Sequence, residues 1–304
     1  METINTHYKA GYVAIVGEPN VGKSTLLNVL LEQKISIVTN KPQTTRQRVL
    51  GILSREDGQI VFFDTPGLLK PKYLLHKEMV KNAERALVEA DVVLVMIEPS
   101  RGIELPIEVR NRILPLYKTK PVLLIINKAD KVNKADLLPM IAHFAKDDQF
   151  KEIIPISALR NDNLDAIVPS LMKYLPEHEP FYPRDIVSES PERFFVAEFI
   201  REQLFEKFSE EIPYSTAVEI RDFKERETGK TLIRADILVE RESQKASSSV
   251  KKENLLKMLE LRRGSRLRNF YSVRYSLNFT LRYRINGGKV NLCCANSAIT
   301  ARDN

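Results

Sequence analysis

An α/β fold with a mostly parallel sheet, followed by a smaller α+β unit, is what this sequence predicts, and three observations predict it. From Tyr8 to about residue 178, near-continuous apolar runs alternate with amphipathic stretches, the pattern of parallel strands covered by helices on both faces. LPEHEPFYPRDIVSESPE (175–192) then carries four prolines and several acids, and reads as a linker. Beyond it one amphipathic helix precedes two strand-like runs, an α-β-β order that should continue into further structure. A chain of 304 residues is also long for a single core. The expected organisation is an α/β domain at 1–178, a linker at 179–192, part of a second domain at 193–246, and a poorly ordered tail at 247–304.

The first strand is YVAIVG (12–17), bounded by glycine. QIVFFDTPG (59–67), VVLVMIEP (92–99), PVLLIINKAD (121–130) and EIIPISAL (152–159) follow. Each is too short and too rich in β-branched residues to be a buried helix. KEMVKNAERALVEA (77–90) and NLDAIVPSLMKYL (163–175) place apolar residues at helical spacing. In the second unit RFFVAEFIREQLFEKF (193–208) reads as a helix, and YSTAVEIRDFKER (214–226) and TLIRADILVER (231–241) as strands.

Composition narrows the class. Forty-three per cent hydrophobic and 29% charged residues suit a soluble protein. No run reaches the roughly 18 apolar residues of a membrane span. The N-terminus lacks the basic and apolar regions of a secretory signal. A cytoplasmic monomer is expected. The four histidines, at 7, 76, 143 and 178, have no metal-ligand spacing. Residues 247–304 hold 12 Lys/Arg against 3 Asp/Glu, a net of +9; as the whole chain is +7, residues 1–246 are at −2. The basic balance therefore belongs to the tail alone.

GEPNVGKST (17–25) has the form G-x-x-x-x-G-K-[ST], after a strand and before a helix, the context that separates a phosphate loop from a chance match. Gly17, Glu18, Pro19, Asn20, Val21, Gly22, Lys23, Ser24 and Thr25 are all expected to face nucleotide. Gly17 and Gly22 let backbone N–H groups at the helix N-terminus meet phosphate oxygens. Lys23 bridges the β- and γ-phosphates and Ser24 ligates Mg²⁺. The loop does not tell ATP from GTP, but NKAD (127–130) does. At the carboxyl edge of the sheet, Asp130 can accept both guanine N1–H and the exocyclic amine. Adenine would leave that carboxylate unpaired. Asn127 can tie this loop to the phosphate loop, the Lys128 stem can cover the ring, and Ser157 and the Ala158 amide are expected at the guanine oxygen. In DTPG (64–67), Asp64 would hold Mg²⁺ through water and the Gly67 amide would approach the γ-phosphate, with Thr65 and Pro66 beside them. The irregular NKPQTTRQR (40–48) suits a loop over nucleotide, and Thr45 rather than Thr44 is chosen to complete the Mg²⁺ shell. Lys23, Thr45 and Gly67 form the expected catalytic set.

The ordered set GEPNVGKST, PQTTRQR, DTPGLLKPK, NKAD and SAL resembles a translation-factor-class GTPase. PQTTR, LLHKEMV (74–80) and the trailing α-β-β unit are similar specifically to the Era family, over about residues 8–246. That resemblance implies a P-loop GTPase domain followed by a KH domain, with GTP/GDP and Mg²⁺ as ligands. It also implies a role in small ribosomal subunit assembly through small-subunit ribosomal RNA, and peripheral contact with the cell membrane. In related GTPases an asparagine in the place of Asn20 binds K⁺. Leu68 stands where Ras-like enzymes carry a water-orienting glutamine, so slow turnover is expected. Two other readings are a related RNA-modification GTPase, which would need a catalytic cysteine motif that Cys293 and Cys294 do not resemble, and a nucleotide-binding module without turnover.

A KH domain grips RNA with a G-x-x-G loop, and none follows residue 246, so the KH-type unit reads as incomplete. Ser-Ser-Ser-Val-Lys-Lys-Glu (247–253) can be encoded TCA TCA TCG GTA AAA AAG GAA. With one A restored in front, those bases read Ile-Ile-Ile-Gly-Lys-Lys-Gly, similar to the family's passage into that loop. Residues from about 247 are thus expected to be an out-of-frame translation, a naturally divergent tail being the other reading.

Overall fold

The structure is a computed structural model. It describes residues 7–99, 104–146, 149–207, 214, 216–224, 230–239, 274–285, 289–293 and 299–300; for Lys207, Lys230, Thr231, Val239 and everything past 273 it describes backbone only. The chain divides into two compact units, Met1–Ser190 and Pro191–Asn304. Among the described residues no helix is long and apolar enough to cross a membrane.

Unit 1 is built on six strands, β1 (Lys9–Gly17), β2 (Val49–Ser54), β3 (Gly58–Asp64), β4 (Val92–Ile97), β5 (Val122–Ile126) and β6 (Ile153–Pro155). Their order is β2-β3-β1-β4-β5-β6. All neighbours are parallel except β2, which runs antiparallel to β3 at the edge. β3, β4 and β5 are buried at every position, which is why they read as unbroken apolar runs. The helices are α1 (Lys23–Leu30), α2 (Leu74–Glu89), α3 (Ile107–Ile113), α4 (Lys134–Ala145) and α5 (Ile167–Tyr174). The sequence reading names neither β2 nor α3 and α4. β1 lies between β3 and β4, so the chain order reverses on its two sides. A crevice opens there at the strands' carboxyl ends, and the loop that fills it is residues 17–22.

The proline-rich segment expected as a linker is hydrogen-bonded to unit 1 over much of its length. His178 N–H donates to Tyr8 O, and Ile52 N–H to Val187 O at 2.8 Å. Gln59, fully buried on β3, accepts from the Phe181 and Tyr182 amides at 2.8 and 3.0 Å and donates to Tyr182 O at 2.8 Å. Phe181 packs on Tyr12 with ring centroids 4.8 Å apart. Proline removes donors from this segment, but its remaining backbone groups find partners on β2 and β3, which straps it to unit 1 as far as Ser188.

In unit 2, α6 (Glu192–Lys207) starts directly after Pro191 and buries Phe195, Val196, Ile200, Leu204 and Phe205. β7 (Thr216–Lys224) pairs antiparallel with β8 (Lys230–Val239), with an irregularity between Ile220 and Asp222. The buried Asp236 is held by Arg221 Nε at 2.6 Å. β9 (Arg274–Ile285) runs parallel to β8, and β10 (Lys289–Cys293) and β11 (Ile299–Thr300) pair antiparallel with β9. These three strands lie within 247–304, the segment expected to be a poorly ordered tail; 240–273, 286–288, 294–298 and 301–304 lie outside the described residues. The alternation of RYSLNFTLRYRI and its aromatic content favour a strand locally. Such a run needs only the free edge of β8, and no G-x-x-G loop, to pair.

Candidate functional site

The phosphate loop is shaped by what glycine permits. Gly22 has φ +104°, and a Cβ there would lie 2.3 Å from Asn127 Nδ2. A Cβ on Gly67 would lie 2.6 Å from the Pro19 backbone, so the DTPG turn and the phosphate loop touch backbone to backbone. Lys23 is buried and donates from Nζ to Glu18 O at 2.8 Å and Gly17 O at 3.3 Å. Its ammonium curls into the loop it belongs to, beside the α1 N-terminus where anions are favoured.

Three oxygens converge at the other side of α1. Ser24 Oγ donates to Asp64 Oδ2 at 2.7 Å and lies 3.0 Å from Thr45 Oγ1, which reaches Asp64 Oδ2 at 3.5 Å. Thr44 instead turns away and donates to Lys41 O. Asp64 has no exposed surface, and burial pushes its carboxyl above its ordinary value of 3.8, against the Ser24 hydrogen bond and the Lys23 charge. Hydroxyl, hydroxyl and carboxylate form a hard, all-oxygen set with one negative charge. That fits Mg²⁺, which keeps the rest of its shell for water and phosphate.

The base-reading end hangs on Asn127. Its Nδ2 donates to Val21 O at 2.7 Å and its Oδ1 accepts from the Ala158 amide at 3.0 Å, so one buried carboxamide joins the phosphate loop, the NKAD turn and the SAL turn. Asp130 accepts from Ser157 Oγ at 2.6 Å and is 3.3 Å from Arg160 Nε; chiefly the Ser157 bond holds it below the ordinary carboxylate value. Lys128 Nζ donates to Asn20 O at 2.7 Å, and Asn20 Nδ2 to Asn40 O at 3.0 Å. Between the two ends lies a cavity of about 380 Å³ lined by Asn20, Gly22, Lys23, Ser24, Thr25, Thr45, Gly67, Lys128, Asp130, Ser157 and Ala158, among others.

Several expected contacts differ. Thr65 is fully buried and donates to Ile15 O at 2.7 Å, and Pro66 is buried beside it. Neither residue lines the cavity. The Ala158 N–H, expected at a guanine oxygen, is engaged by Asn127, whose buried carboxamide needs a partner at each end. Gly17, Glu18 and Val21 do not line the cavity; they act through their carbonyls, which hold Lys23 and Asn127. Leu68, which stands in place of a water-orienting glutamine, is 1% exposed in the core, and its N–H donates to Gly17 O. The sequence reading misses Ile37, Val38 and Thr39 on the cavity wall, which precede the irregular loop with no motif of their own. It also misses Glu98, which pairs with Lys128; the available signal was a carboxylate directly after six apolar residues at the sheet's carboxyl edge.

A family model described as "50S ribosome-binding GTPase" matches residues 12–128. GTPase Era of Geotalea uraniireducens is 45% identical over 254 residues, 83% of this chain and 84% of that protein. GTPase Era of Clostridium tetani is 42% identical over 275 residues, 89% and 92% of the two chains. A crystal structure of Era in complex with MgGDPNP and nucleotides 1506–1542 of 16S ribosomal RNA superposes with a TM-score of 0.85 at 41% identity, over 92% of this chain and 95% of that one. A variant of Aquifex aeolicus Era bound to GDP and AlF4⁻ gives the same TM-score and identity over 91% and 95%. A phosphate loop at the switch point of a parallel sheet, joined through one asparagine to a base-reading turn, defines a P-loop GTPase. The likeness to curated relatives runs well beyond that domain. The chain belongs to the Era family of GTPases.

Proposed function

We infer that this chain binds GTP and GDP with Mg²⁺, hydrolyses GTP slowly, and serves small ribosomal subunit assembly by contacting small-subunit ribosomal RNA. The observation that carries the nucleotide reading is Asn127, which locks the phosphate-reading and base-reading loops into one site. Ser24, Thr45 and Asp64 would hold Mg²⁺, which when bound neutralises phosphate charge and draws electrons from the bond to be broken. Lys23 and the N-terminal amides of α1 meet the phosphates, and the Gly67 amide is placed to approach the terminal one. Guanine recognition falls to Asp130, with Ser157 orienting its carboxylate and Lys128 covering the ring. Asn20 would hold K⁺ together with the Asn40 carbonyl it already touches. Leu68 has no group to orient water, which supports slow turnover.

The RNA role is supported by family membership, and by the similar Era crystal structure, which is a complex with a segment of 16S ribosomal RNA. Two observations limit it: no G-x-x-G follows residue 246, and the tail's +9 charge suits non-specific contact. Degenerate codons also allow the tail, shifted by one base, to encode the family's loop. We propose an out-of-frame tail from about residue 247, a nucleotide domain ending near residue 178 with its strap to Ser190, and a KH-like unit that starts at α6. RNA binding by this chain is then weak and falls steeply with salt. The protein acts in the cytoplasm; peripheral membrane contact is the finer reading, carried by the family resemblance alone.

The test begins with the encoding DNA around Ala246. It continues with phosphate release from GTP against ATP in K⁺ and in Na⁺, and with binding to the 3′ end of small-subunit RNA across salt. Equal turnover of ATP and GTP would end the guanine reading, and K⁺-independent turnover the role of Asn20. Tight, salt-resistant RNA binding would end the out-of-frame consequence.

A further inference from the structure

The residue after β4 is Glu98, a carboxylate left with 9% exposure at the carboxyl edge of the sheet. Its Oε2 pairs with the Lys128 ammonium, and that same ammonium donates to Asn20 O at 2.7 Å. At the other end of the side chain, the Lys128 backbone is left-handed, with φ 63°, a conformation uncommon outside glycine. The lysine stem is therefore fixed at both ends. It runs from the NKAD turn, past the cavity that Lys128 lines, to a carbonyl of the phosphate loop.

A lysine side chain free to rotate would have to be ordered each time nucleotide arrived, which weakens binding by on the order of tenfold. An ammonium held only by a neutral carbonyl is also held less firmly than one held by a carboxylate, since charge-assisted bonds are about twice as strong. Glu98 supplies that second anchor. Glu98 itself does not line the cavity, so its reach toward nucleotide runs through Lys128.

We propose that Glu98 is a positioning residue for guanine-nucleotide binding, holding the Lys128 ammonium on the phosphate loop so that the lysine stem stands ready over the base. The proposal rests on the reading of this cavity as a GTP/GDP site, and its effect is on binding rather than on the chemical step. Asn20 gains a second meaning from it: the loop residue whose side chain meets Asn40 uses its backbone carbonyl to receive the lysine. Glu98, Lys128 and Asn20 form one chain of contacts from β4 through the base-reading turn to the phosphate loop.

The test uses the full chain and GDP carrying a fluorescent ribose label. Glu98→Ala should raise its Kd about tenfold, and Glu98→Gln, which keeps an acceptor but not the charge, roughly threefold. In GTP hydrolysis both should raise KM by similar factors with kcat moved less than about twofold. In a Lys128→Met background, which keeps a long apolar stem without the ammonium, neither change should move Kd by more than about twofold. Equal losses in both backgrounds would mean that Glu98 acts on the fold or the base and not through Lys128. No loss in the parent background would overturn the proposal outright. Should Glu98→Ala fail to fold, the near-isosteric Glu98→Gln carries the same comparison. A parent protein that binds no labelled GDP would instead remove the GTP/GDP reading itself, a result distinguishable from any of these.

Discussion

Asp64, buried behind Ser24, and Asp130, on the cavity wall, are treated in opposite ways. Asp64 is sealed beneath the metal-binding oxygens, and its burial disfavours the charged form more than Ser24 and Lys23 restore it. Asp130 keeps 11% of its side chain exposed and has the Ser157 hydroxyl to stabilise its charge. A buried carboxylate short of compensation calls for a cation. One whose charge is already supported is free to accept neutral N–H groups without inviting a proton. The difference separates a metal end from a base end before any ligand is considered.

The strongest way to sharpen this contrast is to alter the base end. Asp130→Asn replaces one acceptor by a donor, which suits xanthine better than guanine. GTP affinity should fall by ~10²–10⁴ while xanthosine triphosphate gains, as read by equilibrium titration of both. At the metal end, Ser24→Ala removes one Mg²⁺ ligand and the donor to Asp64. The tightening of GTP binding by Mg²⁺ should drop by roughly 10- to 100-fold, with binding in a chelator changed little. If Ser24→Ala weakened chelator-treated binding as much, the two ends would not be separable.

Acidification should part them too. With its pKa raised, Asp64 takes up a proton first as pH falls, so Mg²⁺-dependent turnover should decline while Mg²⁺-free GDP binding persists. Asp130, lowered, stays charged to below its ordinary value of 3.8. The folding signs are likewise opposite. In metal-free protein, protonation of Asp64 above 3.8 favours the folded chain. The contribution of Asp130 is present above 3.8 and is lost as pH falls through its depressed folded value. Turnover and GDP binding that decline together over one pH range would break the contrast.

The smallest kinetic effect belongs to Leu68→Ala. It should change hydrolysis by less than about threefold, because leucine orients no water. Its near-complete burial predicts a stability loss of about 2–5 kcal/mol in denaturant unfolding. A large fall in turnover at full folding would give Leu68 a catalytic task that its chemistry does not explain.

Much of the fold was readable because burial on both faces leaves an unmistakable apolar run, as in β4 and β5. The edge strand β2 escaped because only three of its six positions are buried, so it alternates too weakly to stand out. In the site, motif spacing brings residues to the right place without saying which way they point. Thr65 and Pro66 were placed on the nucleotide for that reason, although both are buried and Thr65 spends its hydroxyl on the Ile15 carbonyl. Glu98 needed a partner 30 residues away, which local reading does not supply. The attachment of 178–188 was not legible, because prolines and acids describe solvent affinity, whereas the attachment depends on Gln59, one buried amide on a distant strand.

Gln59 bears on where this chain can be divided. A fragment ended at Leu175, where the motifs and helices of the nucleotide domain are complete, would strip the Gln59 oxygen of the Phe181 and Tyr182 amides and the Gln59 nitrogen of the Tyr182 carbonyl. The nitrogen would keep Ser54 Oγ at 3.0 Å, but the oxygen would lose both of these partners, and the Tyr12 ring would lose its Phe181 neighbour as well. A cut after Ser190 keeps all of these. The smallest autonomous piece of the protein is thus set not by the last catalytic motif but by a glutamine that no motif contains.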